Sequence, residues 1–161
     1  GRENILLGHA DGTISTFNGE EICKESSSIE SLTCVEGGFV AALESGELVA
    51  MSLKSDQLWI AHGAQVTTHV AGFDDLHWCG RWGSVRGNLE VRSNSGELMT
   101  SAETSRPRVS DFSENRIGFG FEDGQILIWE RELFNRRSKQ EKVEENSRNS
   151  ALAAKLRSLR K

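Results

Sequence analysis

Short apolar runs recur along this chain, each broken by a small polar turn that ends in glycine. Four segments align when those glycines are superposed: "ILLGHADGTISTFN" (5–18), "FVAALESGELVAMSL" (39–53), "GRWGSVRGNLEVRS" (80–93) and "IGFGFEDGQILIWE" (117–130). The turn glycines are Gly12, Gly46, Gly87 and Gly124, at intervals of 34, 41 and 37 residues. Two positions later stand Ile14, Leu48, Leu89 and Ile126, and four positions later Thr16, Ala50, Val91 and Ile128. Four positions before the glycine every residue is small: Gly8, Ala42, Gly83 and Gly120.

Residues two apart share one face of a strand, so the two columns after the glycine predict a packed sheet face. A glycine preceded by Asp11, Ser45, Arg86 or Asp123 suits a tight hairpin turn with positive φ. Small residues inside a strand mark a close approach of backbone. Further strands are expected at "EEICK" (20–24), "DQLWIA" (56–61), "GELMTS" (96–101) and "RELFNR" (131–136), and, before the hairpins, at "IESLTCV" (29–35), "QVTTHVAGF" (65–73) and "RVSDF" (108–112). These segments lack a sustained 3.6-residue period, which disfavours helical repeats. Four short strands in about 40 residues is the period of a propeller blade. The expected fold is therefore all-β: β-propeller blades of four antiparallel strands, three full and one partial, over 1–135. Blade boundaries fall at about 1–28, 29–64, 65–105 and 106–135, followed by a charged linker and short amphipathic helix over 136–161.

These residues resemble the WD-repeat and quinoprotein-like β-propellers. "EDGQILIWE" looks like the close of a WD repeat, with Trp129-Glu130 standing for Trp-Asp. "AHGAQVTTHVAGFDDL" (61–76) is similar to a WD-repeat opening, and "FVAALESGELVAMSLKSDQLW" resembles a quinoprotein-like repeat with Trp59 at the docking tryptophan. The resemblance implies blade-packing roles for Trp59 and Trp129, and a His62 imidazole bonded within its blade. The Trp-acidic dipeptide occurs in one unit; the equivalents are Phe17-Asn18, Met51-Ser52 and Arg92-Ser93. Family propellers usually have six to eight blades. The expectation is thus the C-terminal part of a larger propeller, in keeping with an opening "GRENILL" that has no initiator Met.

Composition changes this picture little: the chain is 37% hydrophobic and 27% charged, with one proline in 161 residues. No run approaches the roughly 20 apolar residues of a membrane helix. Three irregularly spaced cysteines, Cys23, Cys34 and Cys79, read as free thiols in a reducing, cytoplasmic setting. Charge does divide the chain. Residues 136–161 hold nine Lys/Arg and three Glu, leaving 10 basic and 21 acidic residues in 1–135. An acidic body disfavours nucleic acid, whose phosphates need a basic footprint.

Candidate chemistry is sparse. His77 and Cys79 in "LHWCGRW" lie two apart and, with His69, offer three zinc-ligand types, but no CxxC or HxxxH pairing accompanies them. They read as a packed strand. The serines show no GxSxG elbow, and no GxGxxG loop or quinone ligand set is recognisable. Catalytic, cofactor and metal residues are accordingly expected to be none. "RWGSVRG" (81–87) groups Arg81, Trp82 and Arg86, residue types common at protein-interface hot spots. In the tail, Ser150 suits an N-cap, and Leu152, Leu156 and Leu159 line one side of the expected helix, with cations around them. That helix could dock on protein, remain solvated, or meet anionic lipid or nucleic acid. The functional expectation is a non-enzymatic propeller scaffold for a protein partner. The alternatives are a quinoprotein-like small-molecule-binding enzyme and a propeller tethered by its tail to nucleic acid or membrane.

Overall fold

The structure, a computed structural model, describes residues 5–137 and contains 14 strands in four antiparallel sheets. Sheet 1 holds β1 (Leu6–Gly8), β2 (Thr13–Thr16) and β3 (Glu21–Lys24). Sheet 2 holds β4 (Ile29–Val35), β5 (Gly38–Leu43), β6 (Leu48–Ser52) and β7 (Gln57–Ala61). Sheet 3 holds β8 (Gln65–Ala71), β9 (His77–Trp82), β10 (Gly87–Arg92) and β11 (Leu98–Thr104), with a 3-10 turn at Phe73–Asp75 between its first two strands. Sheet 4 holds β12 (Pro107–Ser113), β13 (Arg116–Phe121) and β14 (Ile126–Glu130). The chain divides into two compact units, Gly1–Ile128 and Trp129–Lys161. The described part of the second is the end of β14 and a helix, α1, over 131–137. The expected tail helix with Leu152, Leu156 and Leu159 lies outside the described residues.

Every sheet is an up-and-down meander, so neighbours in sequence pair in space. The sheets repeat down to their irregularities. β4, β8 and β12 each bulge near their start, skipping Glu30, Thr67 and Arg108. The strand after the hairpin pairs with a strand that skips Ile22, Leu58 or Met99. A bulge sharpens local twist, and sharing it lets successive sheets nest face to face.

Both faces of the second sheet are covered. Phe39, Ala41, Leu43, Val49 and Met51 pack with Ile14 of the first sheet. Val40, Ala42, Leu48 and Ala50 pack with Val66 and Cys79 of the third. Alternation along β5 and β6 therefore gives continuous burial, because each face finds a neighbour. Polar seams join the inner strands: Thr33 Oγ1 lies 2.9 Å from His69 Nδ1, and Thr68 and Ser110 hydroxyls bond across the next seam.

The register corrects two expectations. Gly8 faces Ile14 and Ala42 faces Leu48, but the residue facing Leu89 is Gly80, not Gly83. The third hairpin is thus three residues longer than the glycine alignment implied, with Ser84 at φ 69°. Gly12, Gly46 and Gly124 have the positive φ expected of them; Gly87 does not. Gly87 opens β10 and is small because a Cβ there would lie 2.1 Å from the Ser105 carbonyl oxygen. The expected strand at 131–136 is instead helical, consistent with a segment free of β-branched residues.

Substituting alanine at Gly46 combines a φ of 96° with a clash at 2.2 Å against the Gly63 carbonyl oxygen. Gly37 has a φ of 76° but open space around it. Gly37→Ala is expected to cost about 1 kcal/mol, and Gly46→Ala at least twice that, read from chemical denaturation midpoints.

Candidate interaction surface

The hairpin turns at 9–12, 44–47, 83–86 and 122–125 lie on one rim, beside the linkers that pass from sheet to sheet. Backbone bonds fix this arrangement: Glu25 N–H donates to Gly12 O, Glu44 N–H to Ser28 O, and Glu122 N–H to Arg106 O. Missing side chains at Gly12, Gly46 and Gly87 let the linker backbone come close. The third hairpin, with longer arms and a tight turn, is the prominent member of this rim, with Val85 at its tip 81% exposed.

Arg81, expected at an exposed patch, is instead buried. Its Nε donates to Glu90 Oε2 at 2.9 Å, and its Nη1 to the carbonyls of Gly46 and Ala64 at 2.6 and 2.7 Å. One guanidinium therefore ties the third sheet to the second sheet's turn and to the linker between them. Arg92 donates to the same Glu90 oxygen from Nε at 3.0 Å and Nη2 at 2.9 Å, while its Nη1 reaches Gly96 O. Two cations around one carboxylate offset much of the desolvation cost of burying these charges. Trp82 is half-buried beneath the Arg106 guanidinium, 5.3 Å from ring centroid to carbon. Of the three expected interaction residues only Arg86 is exposed, in an ion pair with Glu103 at 2.7 Å. A groove lined by Ala64, Gly83, Arg86, Asn88 and Glu103 runs along the loop base.

His62 meets a side chain of its own sheet's turn, as expected, but does not pack in the blade interior. It stands exposed on the rim, 3.5 Å from Glu47, and the buried imidazoles belong to His69 and His77. Those two rings stack at 5.4 Å, and Trp59 meets His77 edge-on at 5.0 Å while its indole N–H donates to Asn94 O. Trp59 also lies against Gly96, so its contacts bridge the second and third sheets. Trp129 is half-buried on β14. Sequence reasoning missed the Arg81–Glu90–Arg92 cluster; its only signal was three charges alternating within otherwise apolar strands.

The two buried imidazoles and the Cys79 thiol are held neutral. Burial pushes the His69 imidazole down from 6.5 to about 3, with His77 and Arg81 adding to the effect, and burial lowers His77 as well. Burial pushes the Cys79 thiol up to about 12, far from a reactive thiolate. Near the first turn His9 Nε2 lies 2.9 Å from Ser15 Oγ. The Asp11 carboxylate does not orient that ring; it accepts from Thr13 N–H and Oγ1, which holds it down to about 2. Among the described residues no three His, Cys, Asp or Glu converge as a metal site, and no helix is long and apolar enough to cross a membrane.

No family model and no curated protein matches the sequence. Solved structures do. The chain is similar to the computationally designed Ika4 protein, at 20% identity and TM-score 0.67, over 81% of this chain and 86% of that one. It is similar to the WD40 β-propeller domain of Doa1, at 19% identity and TM-score 0.64, over 78% of this chain and 46% of that one. It is also similar to BBS1N in complex with ARL6DN, at 13% identity and TM-score 0.64, over 78% and 42%. The fold is that of β-propeller blades. The chain spans less than half of the Doa1 and BBS1N chains.

Glu90→Gln leaves Arg81 and Arg92 without a carboxylate and is expected to destabilise by about 3 kcal/mol or more. Arg86→Ala should stay within about 1 kcal/mol of the parent, since its pair is exposed. Denaturant titration of both variants checks this contrast. The His69 shift also sets a pH dependence. Below its ordinary 6.5 the unfolded chain takes up a proton that the folded blade refuses until about 3. Stability is therefore full above 6.5 and is lost as pH falls from 6.5 towards 3. His69→Asn should flatten that slope in thermal melts recorded across the window.

Proposed function

We propose that this chain is a non-enzymatic propeller scaffold that engages a protein partner through the rim carrying its hairpin turns. One observation carries the reading: the longest hairpin presents an apolar tip, Val85, on a base immobilised by buried bonds. A loop held from beneath loses little conformational freedom on binding, which favours affinity. The surrounding rim is polar and charged, with Arg86, Glu103 and His62, in the pattern of an apolar anchor inside a wet border. The neutral imidazoles and unreactive Cys79 thiol provide no activated nucleophile in the seam beneath. The structural likeness to BBS1N, whose structure was solved in complex with ARL6DN, supports the same reading by analogy of fold.

A photo-crosslinking residue at position 85 tests the proposal. A specific protein adduct is expected there and not from the same probe at Gly19 on the opposite turns. Against the purified adduct partner, Val85→Asp should weaken binding at least tenfold without lowering the melting temperature. Equal labelling from both positions, or an unchanged affinity, would remove this surface from the function.

A further inference from the structure

The repeat identifies which positions belong between blades. By strand register, Val40, Ala42, Leu48 and Ala50 of the second sheet are equivalent to Trp78, Gly80, Leu89 and Val91 of the third. Each set is covered by the sheet that follows; Leu48 is 0% and Leu89 4% exposed. The glycine alignment carries these positions to Gly118, Gly120, Ile126 and Ile128 in the fourth sheet. There Ile126 is 70% and Ile128 64% exposed, and Val109, paired with Gly120, is exposed beside them.

The small-residue column makes the same point independently. A Cβ at Gly8 would strike Ile29 of the following sheet, and one at Gly80 would strike Pro107 of the following sheet. At Gly120 it would meet only Val109 of its own sheet. The fourth sheet therefore keeps the form of an inter-blade face that, among the described residues, no following sheet covers.

The opposite end of the array carries the matching half. Phe39, Ala41 and Met51 form the face by which the second sheet packs back on the first. Their equivalents in the first sheet are Ile5, Leu7 and Phe17, all exposed, with Phe17 at 70%. Each end thus continues, position for position, an interface the molecule already uses three times internally.

We propose that a second copy of this chain covers these faces, the fourth sheet of each copy packing on the first sheet of the other. Within one copy the described residues leave both faces open. Two copies form the contact twice and bring eight blades together, within the four to eight in which propellers ordinarily close. The surface is separate from the hairpin rim and does not depend on the rim's role.

Light scattering after size exclusion of the full chain is expected to give twice the chain mass. Ile126→Asp and Phe17→Asp should each shift it to monomer while retaining the β-sheet circular dichroism signal. In a Cys34→Ser background, mixing Phe17→Cys with Ile126→Cys should yield more disulfide-linked dimer than either variant alone. A monomer mass at the highest soluble concentration overturns the proposal and leaves these faces to further blades. A dimer that both aspartate variants preserve overturns it as well.

Discussion

Each sheet has two apolar faces and can be stable only when both are covered. An isolated antiparallel meander of three or four short strands buries one face at best. Here the second sheet is enclosed by its neighbours, and its central strands β5 and β6 are buried almost throughout. Fully burying a side chain such as Phe39 or Leu48 contributes roughly 1.5–3 kcal/mol each. Such terms have to offset the entropy of ordering many short strands. Shared bulges, small residues where one sheet's inner strand crosses the next, and hydroxyl–imidazole seams all serve this close approach.

Apolar nesting does not by itself fix how far one sheet slides over another. The Arg81 guanidinium supplies that restriction between the second and third sheets. Its bonds to Glu90, Gly46 O and Ala64 O require a single alignment of strand, turn and linker. A buried charge cluster adds little net stability compared with apolar packing, but its directionality penalises misalignment. The same clamp anchors the loop that carries Val85, so the device that aligns two blades also stiffens the proposed binding rim.

Interior and rim divide the polar chemistry between them. Groups in the seam, His69, His77 and Cys79, stay neutral because charging them there would cost desolvation. Charges on the rim remain solvated. The proposed scaffold role uses this division: a rigid interior, and loops whose residues can vary without disturbing the sheets.

The sequence by itself determined what depends on local geometry. Alternation at a period of two specified strands, and glycines at 12, 46 and 124 specified turns with positive φ, because both are properties of a few adjacent residues. It was also enough to see that the units repeat. Tertiary structure decided everything that depends on a neighbour. Gly80 took the place expected of Gly83 because pairing across the hairpin, not distance from a glycine, sets the register. Arg81 looked like a surface residue until the adjoining sheet's turn and linker supplied carbonyls, beside Glu90 of its own sheet, to satisfy it. His62 came to the rim and not the blade interior because a motif match does not say which side chains a neighbouring sheet covers. Ile126 and Leu48 occupy the same place in the repeat; among the described residues a following sheet covers Leu48 and none covers Ile126, and that makes one core and the other surface.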